Sequence, residues 1–282
     1  DEGMEEFAIP FSEYLESERA DADKNTIKIL HFAIPSELTD YFLRSKGKKV
    51  MVYHNITPHE FFIDFSDDLV KFTMEGRMHL ERLKDCFDLS IAVSNYNGEE
   101  LKALQFKNVQ KIPLIIDLSD YRKPHNKPFF DLVKDDRKNI IFVGRISPNK
   151  KIEDLIKVVF YYKKYISPSI RLIVAGKTDS LPKYFQSVRD LASRFLLTTE
   201  DILFTGHIPF DELLSVYRLG DVFLSMSEHE GFCLPLIESS YLNVPVVAYN
   251  AGAVAETLRG SGIIFNQKKV ELVAGLLDSV IN

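Results

Sequence analysis

Residues 139–176 read NIIFVGRISPNKKIEDLIKVVFYYKKYISPSIRLIVAG and contain two near-continuous apolar strands, NIIFVG and RLIVAG, on either side of an amphipathic helical pattern. Apolar strands of this kind are typical of parallel sheets that are covered by helices on both faces. A strand, a helix and a second strand in this order predict a βαβ unit. The stretch therefore predicts an α/β fold built on a parallel sheet.

The same alternation extends over the whole chain of 282 residues, a length that suggests about two domains. Further strands are predicted in two groups: 26–32, 48–54, 88–94 and 109–115, then 201–206, 221–227, 244–249 and 262–265. Between the groups, residues 117–138 are charged and lack periodicity, which is typical of a linker. We predict two Rossmann-like domains, 1–116 and 139–282, facing a cleft at the carboxyl ends of their strands.

Composition excludes several classes of protein. The net charge of −6 gives no overall basic field that would favour nucleic acid. Two cysteines, Cys86 and Cys233, are too few for a disulfide framework or a zinc site, and they favour a reducing compartment. No apolar run approaches the roughly 18 residues that a membrane-spanning helix needs. We therefore predict a cytoplasmic protein.

The loop GRISPNKK, residues 144–151, places two cations close to a predicted helix start. Gly144 allows close approach of a backbone, and Arg145 and Lys150 lie on either side of Pro148. The free N–H groups of a helix N-terminus favour anions, and arginine can grip a phosphate with two hydrogen bonds. Taken alone, the loop fits an anion site or a solvated basic loop equally well.

The segment SEHEGFCLPLIE, residues 227–238, passes from a strand end through a glycine turn into a helix. Glu230 stands at the mouth of the helix predicted to begin at Leu234, and Glu238 follows about one turn later. A nucleotide diphosphate fits this pattern, with N–H groups on phosphate, one carboxylate on the ribose and the other on a sugar. The alternative is an acidic loop with a capping glutamate. In AGAVAETL, residues 251–258, Glu256 is either a helix-start residue or a ligand contact, and we favour the helix-start role.

These motifs, in this order over residues 139–265, resemble the donor domain of retaining GT-B glycosyltransferases of the large group-1 family. The resemblance implies transfer of a sugar, with retention of anomeric configuration, to an acceptor hydroxyl in polysaccharide, glycolipid or glycoconjugate synthesis. The implied donor is a UDP-, GDP- or ADP-sugar, the implied acceptor is a saccharide or a lipid-linked saccharide, and no cofactor is implied.

The resemblance also implies roles for individual residues. Arg145 and Lys150 would bind the donor diphosphate, Glu230 the hydroxyls of the donor sugar, and Glu238 the ribose. Backbone contacts with the donor are implied for Gly144, Gly231, Phe232, Cys233 and Leu234. Many relatives have glycine where this chain has Cys233, whose N–H would serve equally well if its φ were negative.

The first half of the chain resembles the family less closely. YHNITP, residues 53–58, resembles the strand-end histidine segment of the acceptor domain and would place His54 near the transferred sugar. A histidine that only caps a loop is the alternative. Thr57 followed by Pro58 predicts a helix start, and Ser94 is predicted to be a second N-cap.

The rest of the chain gives two further expectations and two alternative functions. The opening strand and glycine-rich loop of the family are not recognisable before Thr26, so we expect an incomplete first domain. This departure leaves room for a non-catalytic, nucleotide-sugar-binding partner subunit, and a GT-B epimerase or phosphorylase is a further alternative. We expect no metal site, because the Asp-x-Asp at Asp21 and Asp23 lies in a polar stretch that favours a solvated loop.

A group of apolar residues predicts a stripe that faces the protein core, with peripheral contact at the inner face of a membrane as the alternative. These residues are Phe61, Phe62, Phe65, Leu69, Phe72 and Met74. Asp64, Asp67 and Asp68 lie among them and would be repelled by anionic lipid.

Overall fold

The computed structural model describes residues 8–16 and 26–282, and these form two separate parallel sheets. The first sheet has four strands in sequence order: β1 (Ile27–Phe32), β2 (Lys48–Tyr53), β3 (Leu89–Ala92) and β4 (Val109–Lys111). The helices of this half are α1 (Phe11–Glu16), α2 (Leu38–Arg44), α3 (Asp67–Arg82) and α4 (Asn95–Ala103). A separate apolar core packs against this sheet.

The second sheet has six strands: β5 (Lys138–Val143), β6 (Ile170–Ala175), β7 (Ile202–Gly206), β8 (Val222–Ser225), β9 (Val246–Tyr249) and β10 (Ile263–Phe265). Their spatial order is β10-β9-β8-β5-β6-β7, so the chain reverses direction across the sheet between β5 and β8. The helices are α5 (Lys127–Val133), α6 (Ile152–Tyr165), α7 (Pro182–Arg194), α8 (Phe210–Leu219), α9 (Leu234–Tyr241), α10 (Val254–Leu258) and α11 (Val270–Ile281). A reversal of this kind opens a crevice at the carboxyl ends of the central strands.

Hydrophobic burial explains why these segments form covered strands. All six residues of β6 are buried, and so are the central residues of β5 between helices on both faces. The prediction of two parallel α/β sheets is therefore confirmed. The strand boundary that differs most from its prediction is the end of β4. This strand ends at Lys111, because Pro113 has no N–H to continue the ladder.

The predicted helix start at Thr57-Pro58 is wrong. Pro58 has an extended ψ of 137° and leads into a short 3-10 turn, His59–Phe62. The helix α3 begins later, where the side chain of Ser66 accepts a hydrogen bond from the N–H of Leu69 at 3.2 Å. Ser66 is followed by two aspartates, which suit the positive end of a helix, so the stronger start signal lies there.

The stretch 117–138 is more ordered than its sequence predicts. It contains α5, whose N-cap Asn126 accepts from the N–H of Phe129 at 3.0 Å. The peptide N–H of Asn126 donates to the carbonyl of Asp211 on α8 at 3.0 Å. This stretch is therefore attached to the second sheet, and its predicted role as a linker stays a prediction.

Most side chains of the apolar stripe face the core, as the sequence predicts. Phe62 lies in the core that surrounds the second sheet, although it precedes that sheet by more than 70 residues. Phe65 packs edge-on against Tyr184 with ring centroids 5.1 Å apart. Phe72 and Met74 are 38% and 46% exposed. The stripe thus joins the two halves across the cleft.

Candidate functional site

A cavity of about 330 Å³ lies in the cleft where the carboxyl ends of the two sheets face each other. Nine of the ten predicted site residues line it: His54, Gly144, Arg145, Lys150, Glu230, Gly231, Phe232, Cys233 and Leu234. The tenth, Glu238, is not among the lining residues. Segments from β2, β5, β8 and α9 therefore meet at one place, although up to 180 residues separate them.

The basic loop after β5 is shaped by its backbone. Gly144 has a φ of 152°, a value that residues with a side chain rarely adopt. Lys150 ends a short 3-10 turn, Pro148–Lys150, and Lys151 is the left-handed residue before α6. Asn149 fastens this loop to the acidic loop, because its carbonyl accepts from the N–H of Glu228 at 2.8 Å.

Lys150 and Glu230 form an ion pair inside the cavity. The Nζ of Lys150 lies 2.6 Å from Oε1 of Glu230, and both side chains are largely buried. A pair that is shielded from water in this way interacts more strongly than one at the surface. Glu230 is further held by its own carbonyl, which accepts from the N–H of Ala253 at 2.9 Å. An incoming anion would compete with Glu230 for Lys150.

Gly231 is the point at which the two halves of the molecule come closest in the cavity. A Cβ atom placed on Gly231 would lie 2.7 Å from Cβ of Asn55 and 3.0 Å from the carbonyl oxygen of His54. The contact with Cβ of Asn55 is below 3.0 Å, and because that atom is attached directly to the backbone, it could be accommodated only by a shift of the chain. Close packing of the acidic loop on the end of β2 therefore requires glycine at this position.

Helix α9 begins at the cavity with an unusual cap. Cys233 is the N-cap residue and has a φ of 70°, so the negative φ that we required for it is not present. Across the part of the chain that the structure describes, the N–H groups of residues 231–234 donate to no protein acceptor. Pro235 follows and has no N–H. The start of α9 thus presents a small group of free donors to the cavity.

The thiol of Cys233 has little nucleophilic character in this setting. Burial, together with the nearby carboxylate of Glu230, raises the pKa of Cys233 well above its ordinary value. A thiol with a raised pKa stays protonated, and the protonated form is a poor nucleophile.

Glu238 is held by two tyrosines instead of pointing freely into the cavity. Its carboxylate accepts hydrogen bonds from the hydroxyl of Tyr121 at 2.5 Å and from the hydroxyl of Tyr217. Burial and this carboxylate raise the pKa of both tyrosines, so both hydroxyls stay protonated as donors. A ribose contact by Glu238 remains a prediction.

Several polar residues that the sequence did not single out surround His54. The Nε2 of His54 lies 2.8 Å from Nδ1 of His31, at the end of the neighbouring strand β1. The Oδ1 of Asn55 lies 2.6 Å from Nε2 of His229, and this contact joins the two halves. Tyr96 contacts the other nitrogen of His229 at 3.3 Å. These residues follow or end strands of the sheets and lie close to predicted site residues. Their positions at adjacent strand ends are the signal by which the sequence could have identified them.

Burial lowers the pKa of His229 below its ordinary value, although Glu100 and Glu230 act in the opposite direction. Burial also lowers the pKa of His54, and His31 adds to the effect. Both imidazoles are therefore neutral at neutral pH. A neutral His229 donates from one ring nitrogen only, and the amide oxygen of Asn55 takes that donor.

A second cavity, of about 360 Å³, adjoins the first and shares His54, Asn55, Thr57 and Arg145 with it. Its other walls are mainly apolar and include Ile34, Pro35, Ile56, Phe62, Leu69, Phe72 and Leu181. Each half of the molecule contributes part of this wall. Polar groups therefore concentrate where the two cavities meet.

Two helix starts behave as the sequence indicates. Ser94 caps α4, because its hydroxyl accepts from the N–H of Asn97 at 3.2 Å. Glu256 lies in the first turn of α10, and its carboxylate reaches across to the N–H of Asn95 at 2.6 Å and to Lys111 at 3.0 Å. Glu256 thus has a structural role and also links the two halves.

Asp21 and Asp23 lie outside the described residues. Among residues 8–16 and 26–282, no group of three or more His, Cys, Asp or Glu side chains is arranged to hold a metal ion. The expectation of no metal therefore stays a prediction. The helices in those residues are all too short or too polar to cross a membrane.

Two parallel-sheet α/β units that face a cleft define the GT-B fold class. The sequence profile described as "Glycosyl transferases group 1" matches residues 125–282, which is more than half of the chain. The chain therefore belongs to the group 1 glycosyltransferase family.

Two curated relatives resemble this chain in sequence, and a solved structure resembles it in fold. The serotype-specific mannosyltransferase WbdA of Escherichia coli is 25% identical over 142 residues, which are 50% of this chain and 17% of that protein. The O-antigen chain mannosyltransferase RfbU of Salmonella typhimurium is 26% identical over 245 residues, 86% of this chain and 61% of that protein. The structure of Anabaena HepE in complex with UDP-glucose superimposes with a TM-score of 0.69 at 16% identity, over 86% of this chain and 65% of HepE. The chain thus spans less than two thirds of each.

Proposed function

We propose that this chain is a retaining glycosyltransferase that moves a sugar from a nucleotide diphosphate to an acceptor hydroxyl in the synthesis of a polysaccharide, glycolipid or other glycoconjugate. The observation that supports it most is the cavity in which Arg145, Lys150 and Glu230 meet at the start of α9. The names of the relatives favour a mannosyl donor, and the UDP-glucose in HepE supports a nucleotide sugar in this cleft.

The charges of the cavity suit the departure of a diphosphate. As the bond between the sugar and the diphosphate breaks, negative charge grows on the leaving group. Arg145, Lys150 and the free N–H groups of residues 231–234 would stabilise that charge. Lys150 would leave Glu230 for the phosphate, and the released carboxylate would accept hydrogen bonds from the sugar hydroxyls.

Single substitutions test the roles of the two cations. Removing one preorganised group of this kind typically lowers the rate by about 10²–10³, or ~3–4 kcal/mol. We expect a fall of that order in kcat for Arg145→Ala and for Lys150→Ala, measured with the best donor from a screen of UDP-, GDP- and ADP-sugars. Lys164→Ala is the matched control, because Lys164 is an exposed cation of α6 whose ammonium group lies over the rings of Phe160 and Tyr165. Near-normal turnover of either cavity variant would remove the proposed role.

The adjoining apolar cavity is the proposed place of the acceptor. It shares His54 and Arg145 with the first cavity, and an acceptor hydroxyl would meet the donor sugar beside these two residues. Apolar walls would suit the aglycone of a lipid-linked saccharide. We expect Leu69→Gln to raise KM for an octyl glycoside acceptor more than KM for the free sugar, with KM for the donor unchanged. Equal effects on the two acceptors would place the acceptor elsewhere.

Two control reactions separate this proposal from the alternatives. Donor consumption that requires an acceptor sugar, and that yields a free nucleoside diphosphate, would distinguish transfer from epimerisation. Nucleotide-sugar binding in calorimetry without turnover on any acceptor would instead favour a non-catalytic subunit.

A further inference from the structure

The side chain of His31 faces the same site as His54 because of the strand register. In the pairing of β1 with β2, His31 lies opposite Val52, and His54 follows two residues later. Side chains two residues apart share one face of a strand, so both imidazoles project to one face of the sheet. The backbone fixes this end of β2 as well, because the N–H of His54 donates to the carbonyl of Phe32 at 2.9 Å.

The two rings form one hydrogen-bonded unit. Nδ1 of His31 lies 2.8 Å from Nε2 of His54, and the ring planes are inclined by only 19°. His31 is exposed, whereas His54 is half-buried and lines both cavities. The charged groups that line those cavities with His54 are Arg145, Lys150 and Glu230. The pair therefore connects the interior of the cleft with solvent.

When two imidazoles share one hydrogen bond and both are neutral, the tautomer of one ring determines the tautomer of the other. A single proton occupies the bond between them, so one ring donates and the other accepts. If His31 donates, the proton of His54 resides on Nδ1, which can then donate to a sugar oxygen. If His54 donates, its Nδ1 is bare and can accept from a sugar hydroxyl. Because Nε2 is occupied by His31, Nδ1 is the ring nitrogen of His54 that remains for a ligand.

We propose that His31 is a positioning residue for His54: it holds the ring in the cleft and, through the shared proton, determines whether His54 donates to or accepts from the sugar. The reaction-related part of this inference rests on the proposed glycosyl transfer. The hydrogen-bonded pair itself does not, so the two can be tested separately.

The test compares His31→Phe with the wild-type protein, since phenylalanine keeps a flat ring and removes both nitrogens. In ¹⁵N-histidine NMR spectra, we expect the two ring nitrogens of His54 to change shift. We also expect the titration midpoint of His54 to rise, because the imidazole that opposes its protonation is gone. The His54→Gln spectrum assigns the signals. Unchanged nitrogen shifts and an unchanged midpoint would overturn the pairing, whether or not the protein transfers sugar.

Steady-state kinetics test the positioning role. Losing one hydrogen bond that orients a reacting group should lower kcat about five- to tenfold, with KM for the donor within twofold of wild type. His31→Asn can still donate or accept and should recover part of kcat. His59→Phe, which alters a histidine paired with Glu60 on the 3-10 turn, is the control. A kcat of His31→Phe equal to that of His59→Phe would refute the positioning role, even if the NMR shifts change.

Discussion

Lys150 and Glu230 form an ion pair in the cavity, and substitution of each residue has its own expected result. Glu230→Gln keeps the size of the side chain and removes its charge. We expect kcat to fall about 100-fold or more, because the sugar loses a carboxylate acceptor. The affinity for the free nucleoside diphosphate should stay the same or increase, because Lys150 no longer has a competing partner. Calorimetry with the diphosphate and turnover with the intact donor measure the two effects, and a weakened diphosphate affinity would contradict the prediction.

The reverse substitution tests whether Lys150 also stabilises the fold. Lys150→Met leaves Glu230 buried, at 6% side-chain exposure, without its cation. Removing one partner of a buried pair costs about 3–5 kcal/mol, and replacing both partners costs much less. The double variant Lys150→Met with Glu230→Gln should therefore regain stability in urea unfolding but not activity. If the double variant is as unstable as the single one, the pair is not the cause of the loss.

Individual residues show which features of the site can be predicted from the sequence and which cannot. Arg145, Lys150 and Glu230 could be predicted because each follows an apolar strand, and strand ends converge in a parallel sheet. The positive φ of Cys233 could not, because the backbone there follows from how the acidic loop packs. The reason for Gly231 also lies in a distant contact, with Asn55 on the other half of the molecule.

At the scale of single elements, the N-cap of α5 can be tested by substitution. This helix start was hard to recognise because charged residues surround it. Asn126 accepts from the N–H of Phe129, and its Nδ2 donates to Asp211 at 2.9 Å. We expect Asn126→Ala to reduce the free energy of unfolding by about 1–2 kcal/mol, since an N-cap and a link to α8 are lost together. Asn126→Ser keeps a capping oxygen and should recover much of this. Urea unfolding measures both, and equal loss in the two variants would show that the cap contributes little.

Most other elements were predictable, because their signal is local. Apolar strands and 3.6-residue helical patterns depend only on neighbouring residues, so the order of strands and helices followed from the sequence. The errors occurred where two start signals competed, as at Pro58 and Ser66, or where a helix of only 7 residues lay in a charged stretch, as α5 does.

His229, which contacts Asn55 of the other half, predicts how the stability of the protein depends on pH. Burial holds the pKa of His229 below its ordinary value of 6.5, so the unfolded chain takes up a proton there before the folded protein does. Stability is therefore lost as pH falls below that ordinary value. His54 acts with the same sign. We expect the Tm to fall between about pH 7.5 and about pH 5.5, and His229→Gln to reduce this fall. An identical pH slope in the variant would show that His229 does not titrate between the two states.

In the proposed mechanism, donor binding and the contact that joins the two halves belong to different parts of the molecule, and Asn55→Gly should separate them. Glycine adopts the φ of 81° found at Asn55, so the backbone is retained while the contacts with His229 at 2.6 Å and Glu100 at 3.0 Å are lost. The residues proposed to bind the donor diphosphate lie on the second half, so donor affinity should change less than about twofold. Turnover should fall about tenfold or more, because His54 then meets the donor less often.

Small-angle X-ray scattering should show a larger radius of gyration for Asn55→Gly than for the wild-type protein, because the short contact between Asn55 and His229 is lost. The contacts through Tyr96, Glu256 and Phe65 remain, so we expect the two halves to stay associated. Asn250→Gly is the matched control, since the amide of Asn250 bonds to Asn266 within the second half. Asn55→Gly could instead weaken donor binding as much as it lowers turnover and leave the radius of gyration unchanged. Asn55 would then contribute to the donor site itself, and the association of the two halves would not depend on it.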